Sequence, residues 1–241
     1  MVDYHSTAAE IREAHPQLAV LGIGAIEQHG RHLPVATDWT QVREISRRVA
    51  AELDALLLPA LPYSMSECHG LMPGTVWLKP ATVAAVLKDV ARAVREQGIP
   101  TLLVLNGHGG NFVLEPTIQE LNQHYPDFRV LMPGEVWAAV GEEPIYETAG
   151  QGIHAEEVET SMQLFLNPQD VKAERVDYVP PVGREYLDYV VMPFINPEGT
   201  WGLPSYGAAE KGERGIAAQV KAIVAFVQTA LELLGERGNA V

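Results

Sequence analysis

The chain has 241 residues, 47% hydrophobic and 20% charged, a balance that fits a folded globular protein and excludes intrinsic disorder. A formal net charge of -14 disfavours binding to a phosphate backbone, which needs a concentrated basic surface, so no nucleic-acid partner is expected, and the single cysteine, Cys68, excludes an intrachain disulfide. No apolar run approaches the ~20 residues that span a bilayer and no signal peptide is visible; a cytoplasmic protein without a membrane partner is expected.

In chain order, Ser6 caps a short predicted helix ending near His15, and the apolar run Leu18 to Ile23, bounded by glycines, predicts a buried strand. Val42, Ile45, Val49 and Leu53 recur at helical spacing after Asp38. Leu56 to Leu61 reads as a second strand, followed by a Pro-, Gly- and Ser-rich loop to Pro80. Val83, Val86, Leu87, Val90 and Val94 mark a helix ended by Gly98, and Thr101 to Leu105 a third strand. A helix over Phe112 to His124 and a strand over Phe128 to Met132 follow. Beyond them come a helix over His154 to Leu166, an irregular Pro-rich stretch from Val176 to Pro204, and a closing helix over Ala208 to Leu234. Strand–helix alternation of this kind predicts an α/β fold with a mostly parallel sheet, its site at the carboxyl ends of the strands. With no repeat and no long linker, one domain over residues 1–241 is expected.

Three segments carry the chemistry. Directly after the first strand comes Glu27-Gln28-His29-Gly30-Arg31-His32-Leu33-Pro34-Val35-Ala36-Thr37-Asp38, with two carboxylates and two imidazoles. Such oxygen and nitrogen donors suit zinc, manganese or iron. Glu27 and His29 leave an extended backbone on the same side. Asp38 has two readings, a bridging ligand or the N-cap of the helix that follows, and His32 is a further ligand or a residue orienting its neighbours. The second segment, Asn106-Gly107-His108-Gly109-Gly110-Asn111, sets His108 in a glycine loop at the end of a strand. It lacks the lysine and spacing of a P-loop, which argues against phosphate. In the third, Gly152-Ile153-His154-Ala155-Glu156-Glu157-Val158-Glu159, a helical backbone would place His154 and Glu157 on one face; a solvated acidic helix start is the alternative. His69 is a candidate for the pocket mouth, whereas Trp77, Trp137 and Trp201 read as core or interface residues. No G-x-S-x-G elbow is present, and Cys68 has no evident base.

Together with Pro73-Gly74-Thr75 and Ala209-Glu210-Lys211-Gly212, these segments occur in an order that resembles the creatininase (creatinine amidohydrolase) family, from about Leu18 to Gly215. The resemblance implies a three-layer α/β/α sandwich with two divalent metal ions per subunit, zinc first, manganese or iron as alternatives. It implies Glu27, Asp38 and His108 as ligands of one ion, and His29, Asp38 and Glu157 as ligands of the other, with Asp38 bridging. Creatinine-hydrolysing members carry the last glutamate where this chain has Gly110, so Glu157 is nominated in its place. His154 matches the family's catalytic histidine, and Glu156 stands where glycine is usual. The implied activity is hydrolysis of a C–N amide bond in a small-molecule amide by a metal-activated water, with His154 moving the proton. His69 and the backbone of Gly109, within the Gly107 to Gly110 loop, are the expected substrate contacts. A peptidase trimming a short modified peptide and a metal-binding homologue without turnover are the rival readings. Homo-oligomers, often hexamers, are also implied.

Overall fold

The structure is a computed structural model that describes residues 1–134 and 145–238. Trp137 lies outside the described residues. Five parallel strands, β1 (Val2–Asp3), β2 (Leu18–Ile23), β3 (Leu56–Leu57), β4 (Thr101–Asn106) and β5 (Arg129–Leu131), form a sheet of order β1-β3-β2-β4-β5. The helices are α1 (Ala8–Ala14), α2 (Thr37–Glu52), α3 (Pro80–Glu96), α4 (Leu114–His124), α5 (Glu157–Leu166), α6 (Met192–Ile195) and α7 (Ala209–Gly238). Every residue of β2 is buried because both faces of the strand are covered. Ala19, Leu21, Ile23, Leu102 and Val104 pack against Val83, Leu87 and Ala91 of α3 and Leu114 and Ile118 of α4. Leu18, Val20, Leu103 and Leu105 pack on the other face against Val42, Ile45 and Val49 of α2, Met162 of α5, and Ile216 and Ile223 of α7. The expected three layers are therefore present.

From β2 the chain passes to β3 on one side and only later to β4 on the other, so the strand order reverses at the carboxyl end of β2, where α/β sheets bind ligands. Ile23 is in register with Asn106, and Gly107 N donates to Ile23 O at 2.8 Å, which holds the β2 and β4 loops side by side. Gly24 lets α2 close over that edge: a Cβ there would lie 2.5 Å from the Cα of Trp39. The first turn of α2, with Asp38, is thereby pressed against the strand ends.

Some expected bounds shift. The second predicted strand shortens to Leu56–Leu57, because Pro59 has no N–H to give the ladder; pairing resumes only as an isolated bridge between Ile23 and Leu61. The third-segment helix begins at Glu157 rather than His154, its N-cap being Glu156, whose carboxylate accepts from Val158 N and Glu159 N. Ala155 takes a positive φ of 49° and His154 pairs with Trp201, so His154 and Glu157 do not share a helical face. Trp201 is buried, while Trp77 is partly exposed. By length and composition Ala209–Gly235 is a helix that could cross a bilayer, yet Ile216, Val220, Ile223 and Val227 place one side of it in the core.

Candidate active site

The buried side chains of Glu27, His29, Asp38, His69, His108 and His154 converge beyond the strand ends. His108 Nδ1 lies 3.0 Å from Asp38 Oδ2 and 3.3 Å from Glu27 Oε1. His29 Nε2 lies 3.0 Å from Asp38 Oδ1 and 3.7 Å from Glu159 Oε2. Asp38 thus turns one oxygen to each imidazole. Its side chain makes no helix-capping bond, Ala36 being the N-cap of α2, so of its two readings the structure shows the converging one. The ring of His29 is oriented from behind, Nδ1 meeting the Glu27 carbonyl at 3.0 Å, which leaves Nε2 facing inward.

Among the described residues, three groups of donor atoms are close enough to hold a cation: Glu27, Asp38 and His108; His29, Asp38 and Glu159; and Glu27, His29 and His154. Among the described residues, both oxygens of Glu27 and Oδ2 of Asp38 are buried without a hydrogen-bond partner, although imidazole nitrogens stand 3.0 to 3.6 Å from Glu27 Oε1 and Asp38 Oδ2. Oxygens and nitrogens this close but unaligned for hydrogen bonding are what a cation at their centre would satisfy. The residues therefore fit a divalent ion.

Burial chiefly pushes the Glu27 carboxyl up, to about 7, with Asp38 adding to the rise and His108 opposing it. Burial acts in the same sense on Asp38, but His29 and His108 outweigh it and hold that carboxyl below its usual range. Burial works against a charged His108, yet Glu27 and Asp38 raise it to about 9. His154 is held well below its ordinary value, first by burial and then by His69 and His29, which favours the uncharged ring. His154 Nε2 lies 2.7 Å from the Gln28 carbonyl, an obligate acceptor, so the proton is assigned to Nε2. Nδ1 then turns its lone pair toward Glu27 Oε1, 3.6 Å away.

The structure does not bring Glu157 to this cluster. Its carboxylate is wholly buried elsewhere, accepting from Glu147 N, Thr148 N, Thr148 Oγ1 and Lys211 Nζ at 2.5 to 3.0 Å. With the helix starting at residue 157, Glu159 faces His29 instead. The run Glu156-Glu157-Val158-Glu159 contained this carboxylate, but nothing in its composition distinguished the three. Sequence reasoning also passed over Gln28, whose side-chain nitrogen donates to His69 Nδ1 at 2.7 Å and to the Gly199 carbonyl at 3.3 Å; its 2.9 Å approach to His154 Nε2 is a contact rather than a hydrogen bond, because the Nε2 proton goes to the nearer Gln28 carbonyl. The place of Gln28 between Glu27 and His29 gave no signal, because alternation in an extended segment would send its side chain away from theirs. His69 is buried within the cluster rather than at its mouth, 3.5 Å from Glu27 Oε1. His32 stands behind it, with Nε2 bonded to Thr160 Oγ1 at 2.9 Å. In the glycine loop Gly107 N and His108 N are already committed to Ile23 O and Asn106 Oδ1, while the N–H groups of Gly109 and Gly110 have no acceptor among the described residues. Gly110 abuts the imidazole of His108: a Cβ there would lie 2.3 Å from Nε2.

A family model described as creatinine amidohydrolase matches residues 4–227. The chain belongs to the creatininase family. It is 31% identical over 214 residues to the creatinine amidohydrolase of Pseudomonas putida, covering 80% of this chain and 82% of that protein. It is 26% identical over 234 residues to the mycofactocin precursor peptide peptidase of Mycobacterium ulcerans, covering 89% and 86%. A crystal structure of creatinine amidohydrolase superposes with a TM-score of 0.81 at 26% identity, over 95% of this chain and 97% of that one. Similar creatininase structures include a manganese form and a Zn–Zn form. The chain is thus a metal-dependent hydrolase of C–N amide bonds, and its buried carboxylate–imidazole cluster is suited to divalent metal.

Proposed function

We propose that the enzyme hydrolyses a small-molecule amide with two divalent ions, zinc first and manganese or iron as alternatives. The buried, unpartnered oxygens of Glu27 and Asp38 between His29 and His108 are the observation that carries this reading. Glu27, Asp38 and His108 would hold one ion, and His29, Asp38 and Glu159 the other, with one Asp38 oxygen for each. Bound there, the ions would supply a water of lowered pKa and polarise the amide carbonyl. His154 would take a proton at Nδ1, the nitrogen that faces the cluster, and deliver it to the leaving nitrogen. Gln28 holds that ring in the required tautomer by accepting from Nε2. The free N–H groups of Gly109 and Gly110 would steady the carbonyl oxygen, while His69 forms a wall of the site. The whole chain works as one domain, in the cytoplasm, as a homo-oligomer.

Removing metal with a chelator is expected to abolish hydrolysis of cyclic amides, formamides or short peptides, and zinc or manganese to restore it. Full activity in a metal-free sample would refute the reading. His154→Ala should keep the metal content and lower kcat about 100-fold or more, as for loss of a general acid–base group. Loss of an ion in that variant would make His154 a ligand, as its place in the third donor group allows.

A further inference from the structure

Beside the cluster lies a cavity of about 500 Å³, lined among others by Ser66, Glu67, Gly110, Phe112, Arg184 and Asp188. It borders the cluster directly, because Gly110 lies against the imidazole of His108 and Ser66 is three residues before His69. Arg184 is part of the cavity wall. Its Nη2 donates to the carbonyl of Gly109 at 3.0 Å, which ties the guanidinium to the loop that carries His108. A guanidinium has five N–H donors in a planar fork, so most of this one's donors are unspent. Among the described residues Arg184 makes no ion pair, although Glu67 and Asp188 line the same cavity.

We propose that Arg184 binds a carboxylate of the substrate, so that the amides this enzyme prefers carry a free carboxylate next to an apolar group. A planar, bidentate donor left unpaired at a cavity wall is the side chain best matched to a carboxylate. The apolar part follows from Phe112, 66% exposed at the cavity, and from Met65 and Leu187 in its lining. Glu67 and Asp188 shape the choice further. They outnumber the one cation, so a multiply charged phosphate ester is repelled, whereas a single carboxylate seated on Arg184 is tolerated. Their oxygens can also accept N–H groups from the substrate. A substrate of this kind would run from Arg184, past Gly109 and Gly110, to the catalytic cluster.

The inference rests on the amidase reading, and the test separates the two. Metal-loaded protein is assayed on pairs that differ only in the carboxylate: N-formyl-leucine against N-formyl-leucinamide, and alanyl-leucine against alanyl-leucinamide. The kcat/KM for the acid is expected to exceed that for its amide by about 10- to 100-fold, the worth of a charge-assisted hydrogen bond. R184Q should bring that ratio to about one, chiefly through KM, with R184K intermediate and metal content unchanged. If Arg184 only props the Gly109 loop, the variants lower both members of a pair equally and the ratio survives, which overturns the inference. Equal turnover of acid and amide by the parent protein also overturns it, while leaving the amidase reading intact. No hydrolysis of either acid at full metal occupancy overturns the inference, whereas the amidase reading falls only if cyclic amides also go uncleaved.

Discussion

Glu157 and Glu159 are two residues apart on one helix, yet their carboxylates have separate tasks. Glu157 is spent on Lys211, Thr148 and backbone N–H groups, while Glu159 reaches His29 at 3.7 Å. Glu159→Gln should therefore halve the metal content and lower activity, and Glu157→Gln should leave the metal content whole. Metal analysis of the two purified variants decides; metal loss from the Glu157 variant alone would reverse the assignment. His32 offers a second prediction. Burial, with Arg175 nearby, lowers its pKa to about 4, so between pH 6.5 and about 4 the unfolded chain binds the extra proton. Its contribution to stability is complete above pH 6.5 and declines as the pH falls through that window. In metal-free protein, urea unfolding at pH 7 and pH 5 should show a smaller acid loss for His32→Gln than for the parent; equal losses would refute this.

At the scale of elements, the start of α5 decides which glutamate faces the cluster, and that start was not legible. Pattern alone gave a helix from His154 to Leu166. The helix instead begins after a positive φ at Ala155 and a cap from Glu156, features to which alanine and glutamate give no sequence signal. The long strands were readable, because β2 and β4 are continuous apolar runs covered on both faces. Asp38 was only half readable: an aspartate at a helix start serves as a cap or as a ligand, and only the position of α2 against Gly24 separates the two. The Glu157–Lys211 pair fastens α5 to α7, with the carboxylate wholly buried. Its carboxyl is held below the usual range: burial opposes the charge, but Lys211 and Thr148 outweigh it. Lys211→Met would strand that buried charge and should cost about 3 kcal/mol, the typical penalty for removing one partner of a buried pair. Chemical denaturation measures it, and an unchanged midpoint would show that the pair contributes nothing.

For the molecule as a whole, the sheet order accounts for donor groups gathered from distant parts of the chain. β2 and β4 are neighbours with Ile23 level with Asn106, so residues 27 to 38 meet the 106 to 111 loop without long connections. The third contributor, residues 154 to 159, is held there by the bridge between His154 and Trp201. The largely exposed side chains of Leu71, Tyr189 and Phe194 support the proposed self-association. Light scattering should give the mass of several chains, with six the expected number, rather than one chain of 26.3 kDa. A monomer at micromolar concentration would refute it.

The bare backbone at Gly110 has a consequence for how this scaffold can change. The space a side chain would need there is already filled by the His108 ring, so a carboxylate cannot simply be grafted at that position. Gly110→Glu would have to push the imidazole aside before its carboxylate could enter the site. The glycine at position 110 and the present place of the His108 ring therefore go together, and a side chain there requires the ring to shift.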